Sequence, residues 1–232
     1  MEEPLIRSAE PGDLVAGTAL LADALGFSES DRIPGWLAKD AQEGGAIALA
    51  AVAGRELVGF SLALPALRAP GVVELFSCGI AVVPSHRRSG LGRRLKLEQR
   101  RQALELGIRI IRWRADPLNV AGLRLYLDGL GARLVGYRPD AYEGVRDDGA
   151  VPHDDVDIEW RLDSPPIAPM TASQLVELPW EGASLAGERE RRRWRTAVRE
   201  AMCAALGSGS VGIGVDREPV SGRAWMRFEA AL

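Results

Sequence analysis

Apolar positions alternate along the chain between two spacings. Leu5 to Ser8 reads as a short strand. From Pro11-Gly12-Asp13 onward, Leu14, Ala16, Leu20, Leu21 and Leu25 recur at helical spacing. Asp31 to Asp40 predicts a second short helix. Ala46–Val52 and Glu56–Ala63 are apolar strands joined by Ala53-Gly54-Arg55, a hairpin signal. Val72–Val83 is a further strand that ends at Pro84. Gly90–Leu106 has helical composition and stops at Gly107. Ile108–Trp113 is β-branched and extended, Asn119–Leu130 is helical, and Arg133–Tyr137 and Val156–Leu162 close the series as strands. Hairpins followed by crossover helices predict an α/β (α+β) fold with a mixed, mostly antiparallel central sheet flanked by helices.

Ser164-Pro165-Pro166 breaks the pattern and predicts a boundary between residues 1–163 and 164–232. Beyond it, Ile167 to Gly187 is irregular. Glu188–Leu206 is an amphipathic helix with Trp194, Ala197, Val198, Ala201, Met202 and Leu206 on one stripe. Val211–Val215 and Ala224–Phe228 form a strand pair. A linker, one helix and two strands make too small a core to fold alone. This C-terminal extension is therefore expected to dock on the first block or on a second chain, as in a homodimer.

Composition narrows the class. Of 232 residues, 47% are hydrophobic and 26% charged, which excludes global disorder. A net charge of −3 disfavours a nucleic-acid partner. The longest apolar run, Gly45–Ala53, is too short for a bilayer, and Met1-Glu2-Glu3-Pro4 opens no signal peptide. A cytoplasmic protein with no membrane partner is expected. Cys78, Cys203, His86 and His153 have no metal-ligand spacing, so no metal is expected. Lys39 and Lys96 are the only lysines among 29 basic residues, as a compositional bias toward arginine would give.

The chemistry concentrates in Ile80-Ala81-Val82-Val83-Pro84-Ser85-His86-Arg87-Arg88-Ser89-Gly90-Leu91-Gly92. A strand ends at a proline, a basic loop with two glycines follows, and a helix begins. Such a loop aims amides and the positive end of a helix dipole at one point, which suits a phosphate. Arg87 and Arg88 add charge. A Walker loop would need GxxxxGK[ST], which the chain lacks. A dinucleotide fingerprint would need a third glycine where Leu95 stands.

Arg87-Arg88-Ser89-Gly90-Leu91-Gly92 does match the R/Q-x-x-G-x-G/A pyrophosphate loop of the GNAT superfamily of N-acyltransferases. Downstream, Asn119, Gly122, Leu125 and Tyr126 fall in register with that superfamily's later motif. Two departures stand out: one extra residue precedes Gly131, and Ala132 replaces an aromatic. The resemblance covers about two thirds of the chain, Leu5 to Leu162. Trp113-Arg114-Ala115-Asp116-Pro117, Tyr142-Glu143-Gly144, Glu159-Trp160 and Arg193-Trp194-Arg195 further resemble a bacterial branch with a C-terminal extension. Some genes related to that branch are associated with N-succinylation of amino acids.

The resemblance implies an acyl-CoA, acetyl-CoA or another such as succinyl-CoA, lying between the strands Val72–Val83 and Ile108–Arg114. Backbone groups of Ile80 and Val82 would pair with the pantetheine arm. Amides from Arg87 through Arg88, Ser89, Gly90, Leu91 and Gly92 would hold the pyrophosphate, and Asn119 would contact the cofactor. An amine would attack the thioester directly, with Tyr126 protonating the leaving thiolate and Glu74 as the base. A small-molecule amine or amino acid is the implied acceptor. Arg32, Trp36, Arg114, Tyr142 and His153 are candidates to line its pocket. The same loop would also serve a catalytically silent acyl-CoA-binding module.

Overall fold

The computed structural model describes residues 3–143, 153–163, 173–179, 187–218 and 223–231. They fall into two compact units, Met1–Trp113 and Arg114–Leu232.

The first unit holds β1 (Leu5–Ser8), β2 (Ile47–Ala53), β3 (Glu56–Ala69) and β4 (Val72–Val82), which pair antiparallel in that order. β5 (Ile110–Ala115), which runs into the second unit, lies parallel to β4. Three helices cover this sheet: α1 (Pro11–Leu25), α2 (Gly35–Glu43) and α3 (Leu91–Glu105). α1 sits close on one face because Gly17 has no side chain; a Cβ there would lie 2.2 Å from the Phe60 ring. Leu14, Leu21, Phe60, Leu62 and Ala81 form this core. α3 packs on the other face, where a Cβ on Gly59 would meet Leu95 at 3.2 Å. Gly59 and Phe60 are consecutive strand residues, so they face opposite sides.

Two expectations need correction here. The second helix starts at Gly35, after Pro34, and not at Asp31; the residues before it form a single tight turn, Glu29–Asp31. Pro34 has its φ preset for the entry to a helix. β3 runs six residues past Ala63 and includes Pro65. β2 ends opposite Ala63, so from Leu64 onward that side of β3 has no β2 partner. An unpaired edge tolerates a residue with no N–H.

In the second unit, β6 (Arg133–Arg138) pairs antiparallel with β7 (Asp155–Arg161) on one side and with β9 (Ser210–Glu218) on the other, through Leu134 and Gly212. β10 (Arg223–Ala230) pairs with β9 and with β8 (Gln174–Leu178). β8 lies in the stretch expected to be irregular. Its Val176 and Leu178 alternate inward, a period-2 signal only five residues long. The helix from Asn119 divides into α4 (Val120–Arg124) and a wide π-helical turn, Leu125–Gly129. A π turn accommodates one additional residue. It takes up the extra residue that precedes Gly131.

The extension thus belongs to the same unit as β6 and β7. Its helix α5 (Glu188–Gly207) is fastened by Arg199, whose Nε donates to Asp154 Oδ2 at 2.9 Å. The same carboxylate accepts from Tyr137 Oη at 2.7 Å and from the Asp140 amide at 3.0 Å. Asp154 is 1% exposed. Its carboxyl is held below the usual range, since the Arg199, Tyr137 and Asp140 donors outweigh burial. Removing residues 164–232 takes away Arg199 and the β9 partner of β6. That leaves a buried carboxylate without its cation and a bare strand edge. Fragment 1–163 is expected to aggregate in size-exclusion chromatography; a soluble, monomeric fragment would show the extension to be dispensable for folding.

Candidate functional site

β4 and β5 form a fork. Their ladder consists of Leu75↔Ile111 and Phe76↔Arg112 and stops there. Just past it, β4 carries a bulge. Leu62 pairs with Gly79 and Ala63 with Ser77, so Cys78 has no partner. A bulge bends its strand and reverses the facing of the residues beyond it. Gly79, at φ +156°, occupies backbone space that other residues rarely adopt, and a Cβ there would meet Leu21 Cδ1 at 2.8 Å.

The bulge sets which backbone groups line the fork. The Val83 amide donates to Val58 O at 3.0 Å, so Val83 and, by alternation, Ala81 face β3. The amides and carbonyls of Ile80 and Val82 therefore face the side on which β5 has parted from β4. The Val82 carbonyl confirms this direction by accepting from Arg87 Nε at 3.1 Å.

The loop after β4 is a short turn, Pro84–His86, followed by Arg87, Arg88, Ser89 and Gly90, all exposed. Arg88 has φ +62° and Gly90, the residue before α3, φ +85°. A left-handed arginine costs about 1–2 kcal/mol, and such strain is a mark of functional loops. Ser89 Oγ donates to His86 O at 2.7 Å and accepts from the Leu91 amide at 3.4 Å, which fixes the turn. A Cβ on Gly90 would meet nothing within 4 Å. The opening residues of α3 add amides with no intrahelical acceptor. Leu91, only 2% exposed, anchors the loop by its side chain, and Gly92 lies in the first turn. This end is open and rich in amide donors, the kind of surface that can receive an anion.

Glu74 is buried at 5% exposure, and its Oε2 is shared by Arg112 Nε at 2.8 Å and Arg68 Nε at 3.5 Å. In the second unit, Asn119 Oδ1 caps α4 by accepting from the Gly122 amide at 3.0 Å. Tyr126 lies in the π turn, and burial pushes its phenol up to about 12, so the hydroxyl stays protonated. That turn is fixed by Asp128, which accepts from the Val215 amide at 3.2 Å and from Arg227 Nη2 at 3.1 Å.

Three of the acceptor candidates come together in that unit. The Arg114 guanidinium lies 5.8 Å from the Tyr142 ring centroid. The Tyr142 and His153 rings are 5.0 Å apart, and His153 Nε2 is 3.6 Å from Asp155 Oδ1. Burial holds the Asp155 carboxyl above the usual range. Arg32 and Trp36 lie in the first unit. Arg32 donates to Val15 O at 2.8 Å, and Trp36 is 66% exposed. Cys78 is a half-buried thiol raised to about 11, chiefly by desolvation, and is no nucleophile in that state.

Lys96 was not singled out from the sequence. It is 1% exposed in the second turn of α3. Its Nζ is 2.7 Å from Ser77 Oγ, 3.1 Å from Gln99 Oε1 and 4.0 Å from the Trp113 ring centroid. The signal was there in the helical period. Leu91, Leu95, Gln99 and Ala103 mark the buried face of α3, and Lys96 lies three residues before Gln99 on it.

A family model for the acetyltransferase (GNAT) family matches residues 17–132. The fold, the forked strands and the loop define an acyl-CoA-type acetyltransferase scaffold, and the chain belongs to the GNAT acetyltransferase family. Among solved structures it is similar to yncA of Salmonella typhimurium, determined with its cofactor acetyl-CoA. The two are 21% identical at a TM-score of 0.56, over 73% of this chain and 99% of that one. It is also similar to the ribosomal-protein-S18-alanine N-acetyltransferase of Escherichia coli, at 20% identity and a TM-score of 0.54, over 70% and 96%. A Bacillus subtilis acetyltransferase in complex with CoA is 24% identical at a TM-score of 0.51, over 68% and 99%. No protein of curated function matches the chain. Among the described residues, no helix is long and apolar enough to cross a membrane.

The bulge supplies a stability test. Gly79→Ala forces a side chain into unfavourable backbone space and against Leu21. The expected loss is about 1–3 kcal/mol, read as a lower midpoint in urea denaturation. An unchanged midpoint would show that glycine is not required there.

Proposed function

We propose that this protein transfers an acetyl group from acetyl-CoA to the primary amine of a small molecule or amino acid. The observation that carries this reading is one continuous donor surface. It comprises the outward backbone of Ile80 and Val82, followed by the loop at the start of α3 in which Arg88 and Gly90 are left-handed. The edge suits an extended chain bearing amides, and the loop suits a diphosphate. The Salmonella and Bacillus proteins of the same fold hold acetyl-CoA and CoA, respectively.

In this reading Ile80 and Val82 hold the pantetheine arm as an added strand. Occupation of the Val82 carbonyl would displace the Arg87 guanidinium that now rests on it. Arg87 and Arg88 then neutralise the diphosphate from the loop. Asn119, already a helix cap, contributes a contact as well. The attacking amine must be neutral when it forms the C–N bond. Tyr126, protonated at every working pH, returns a proton to the departing thiolate. Glu74 would have to leave two guanidinium partners before accepting a proton. We therefore assign it to holding Arg112 at the base of the fork.

For the acceptor, Arg114 offers a partner for a carboxylate, and Asp155 with His153 offers one for an ammonium group. Their grouping supports an amino acid over a simple amine.

Two substitutions test the assignment. Gly90→Glu puts a negative side chain into the open space over the loop. It should abolish the thermal stabilisation that saturating CoA gives the unmodified protein, about 2.7 kcal/mol at 100 times the dissociation constant. Retained stabilisation would reject the loop as the diphosphate site. Tyr126→Phe should lower kcat by about tenfold to a hundredfold with donor affinity unchanged. If kcat holds, Tyr126 is a packing residue of the π turn.

A further inference from the structure

Lys96 is a cationic side chain buried without a carboxylate partner among the described residues. It stands directly beneath the point where β4 and β5 separate. The ladder ends at Phe76↔Arg112, and Ser77 and Trp113 are the next residue on each strand. Both contact Lys96 Nζ, at 2.7 Å for Ser77 Oγ and 4.0 Å for the Trp113 ring centroid. α3 thus places an amine on the floor of the fork, covered by one hydroxyl and one aromatic face.

We propose that Lys96 is the proton store of the transfer reaction, taking the acceptor amine's proton through the hydroxyl of Ser77. The proposal rests on the acyl-transfer reading above and supplies the proton acceptor that Glu74, tied to Arg112 and Arg68, does not.

The hydrogen-bond count supports both charge states. A neutral amine has two N–H groups and one lone pair. Gln99 Oε1 at 3.1 Å and the Trp113 face take the two N–H groups, and the lone pair accepts from Ser77 Oγ. A charged ammonium donates to the same three partners and gains a cation–π contact. No side chain has to move when the proton arrives. Burial lowers the Lys96 ammonium to about 7, within the working range of a general base.

The surroundings leave little else to set its charge. Cys78 on β4 is the titratable group that acts on Lys96, and its thiol, raised to about 11, is neutral. β2 carries no titratable side chain, and β3 carries them only near its ends, at Glu56 and Arg68. Glu74 is three residues from Ser77 with no bulge between them, so it projects to the opposite face of β4. β5 supplies Trp113 to this face, and α3 supplies Gln99, which is uncharged.

The acceptor ammonium gives a proton by way of water to Ser77 Oγ, which is only 2% exposed, while the Ser77 proton passes to Lys96 Nζ. The amine nitrogen, now neutral, forms the C–N bond with the thioester carbon. The C–S bond breaks, the sulfur leaves with the electron pair and takes a proton from Tyr126, and the second proton shed by the nitrogen as it becomes an amide restores the Tyr126 phenol. Lys96 then releases its proton to solvent. Because Lys96 acts through Ser77, it is a positioning residue for the proton, and its signature is a pH profile.

The chain has only two lysines, Lys39 and Lys96. Full-length protein labelled with 13C at lysine Cε should therefore give two NMR signals, assigned by Lys39→Arg. The Lys96 signal should titrate near 7, and kcat/KM should rise with pH along an acid limb at the same value. Lys96→Met should remove that limb and lower kcat about a hundredfold at pH 8, with CoA still raising the melting temperature. Ser77→Ala keeps the lysine, so its NMR titration should persist while the limb is lost. This second variant decides the matter if Lys96→Met does not fold. Turnover with the limb intact in either folded variant would overturn the proposal, as would a Lys96 signal that titrates above 10. No turnover by the unmodified protein with any amine would instead reject the acyl-transfer reading itself.

Discussion

Everything at the site depends on β4 being unable to pair with both neighbours over its full length. A single unpartnered residue, Cys78, bends the strand where its ladder to β5 ends. Three consequences follow. The amides and carbonyls of Ile80 and Val82 turn to the side that β5 has left. Gly79 is forced into backbone space that glycine tolerates, close under Leu21 of α1. Ser77 and Trp113, the first residues past the end of the β4–β5 ladder, both contact the Lys96 amine of α3. Backbone groups without a strand partner are costly unless something else satisfies them. The Arg87 guanidinium covers one of them, and an extended amide-bearing ligand would satisfy the others.

The second unit solves a different problem. Tyr126 sits in a π-helical turn, a conformation that rarely persists unsupported. Asp128 supports it by accepting from Val215 on β9 and Arg227 on β10. β9 passes close enough to do this because Gly214 has no side chain; a Cβ there would lie 2.6 Å from Asp128 Oδ1. The C-terminal extension therefore shapes the turn that carries the proposed acid. Arg199, clasping Asp154 just before β7, ties α5 to the β6–β7 pair.

Much of this was legible in the amino-acid order. Glycines at 90 and 92 after a strand and a proline announced the loop. Asn119, Gly122 and Tyr126 announced the second segment, and the extra residue before Gly131 was visible as a departure whose outcome only coordinates give. The bulge was not legible, because Cys78-Gly79 continues an apolar strand without any change of rhythm. Nor was β8, whose five residues follow a proline-rich break and find their partner, β10, some fifty residues later. Glu74 was expected as the base, and its two arginine partners could not be foreseen because they come from elsewhere, Arg112 on β5 and Arg68 at the far end of β3. Lys96 stood out in the sequence only as one of two lysines among 29 basic residues. Its significance lies in Ser77 and Trp113, which are distant in sequence and meet it only because the strands part.

The central claim is that the forked edge of β4 and the loop after it form one binding surface for acyl-CoA. Amide hydrogen exchange with and without acetyl-CoA addresses this residue by residue. The account predicts that ligand slows exchange at Ile80 and Val82 and along Arg88–Gly92, while Ala81 and Val83, already bonded toward β3, change little. Protection confined to other segments, or none at saturating ligand, would contradict it.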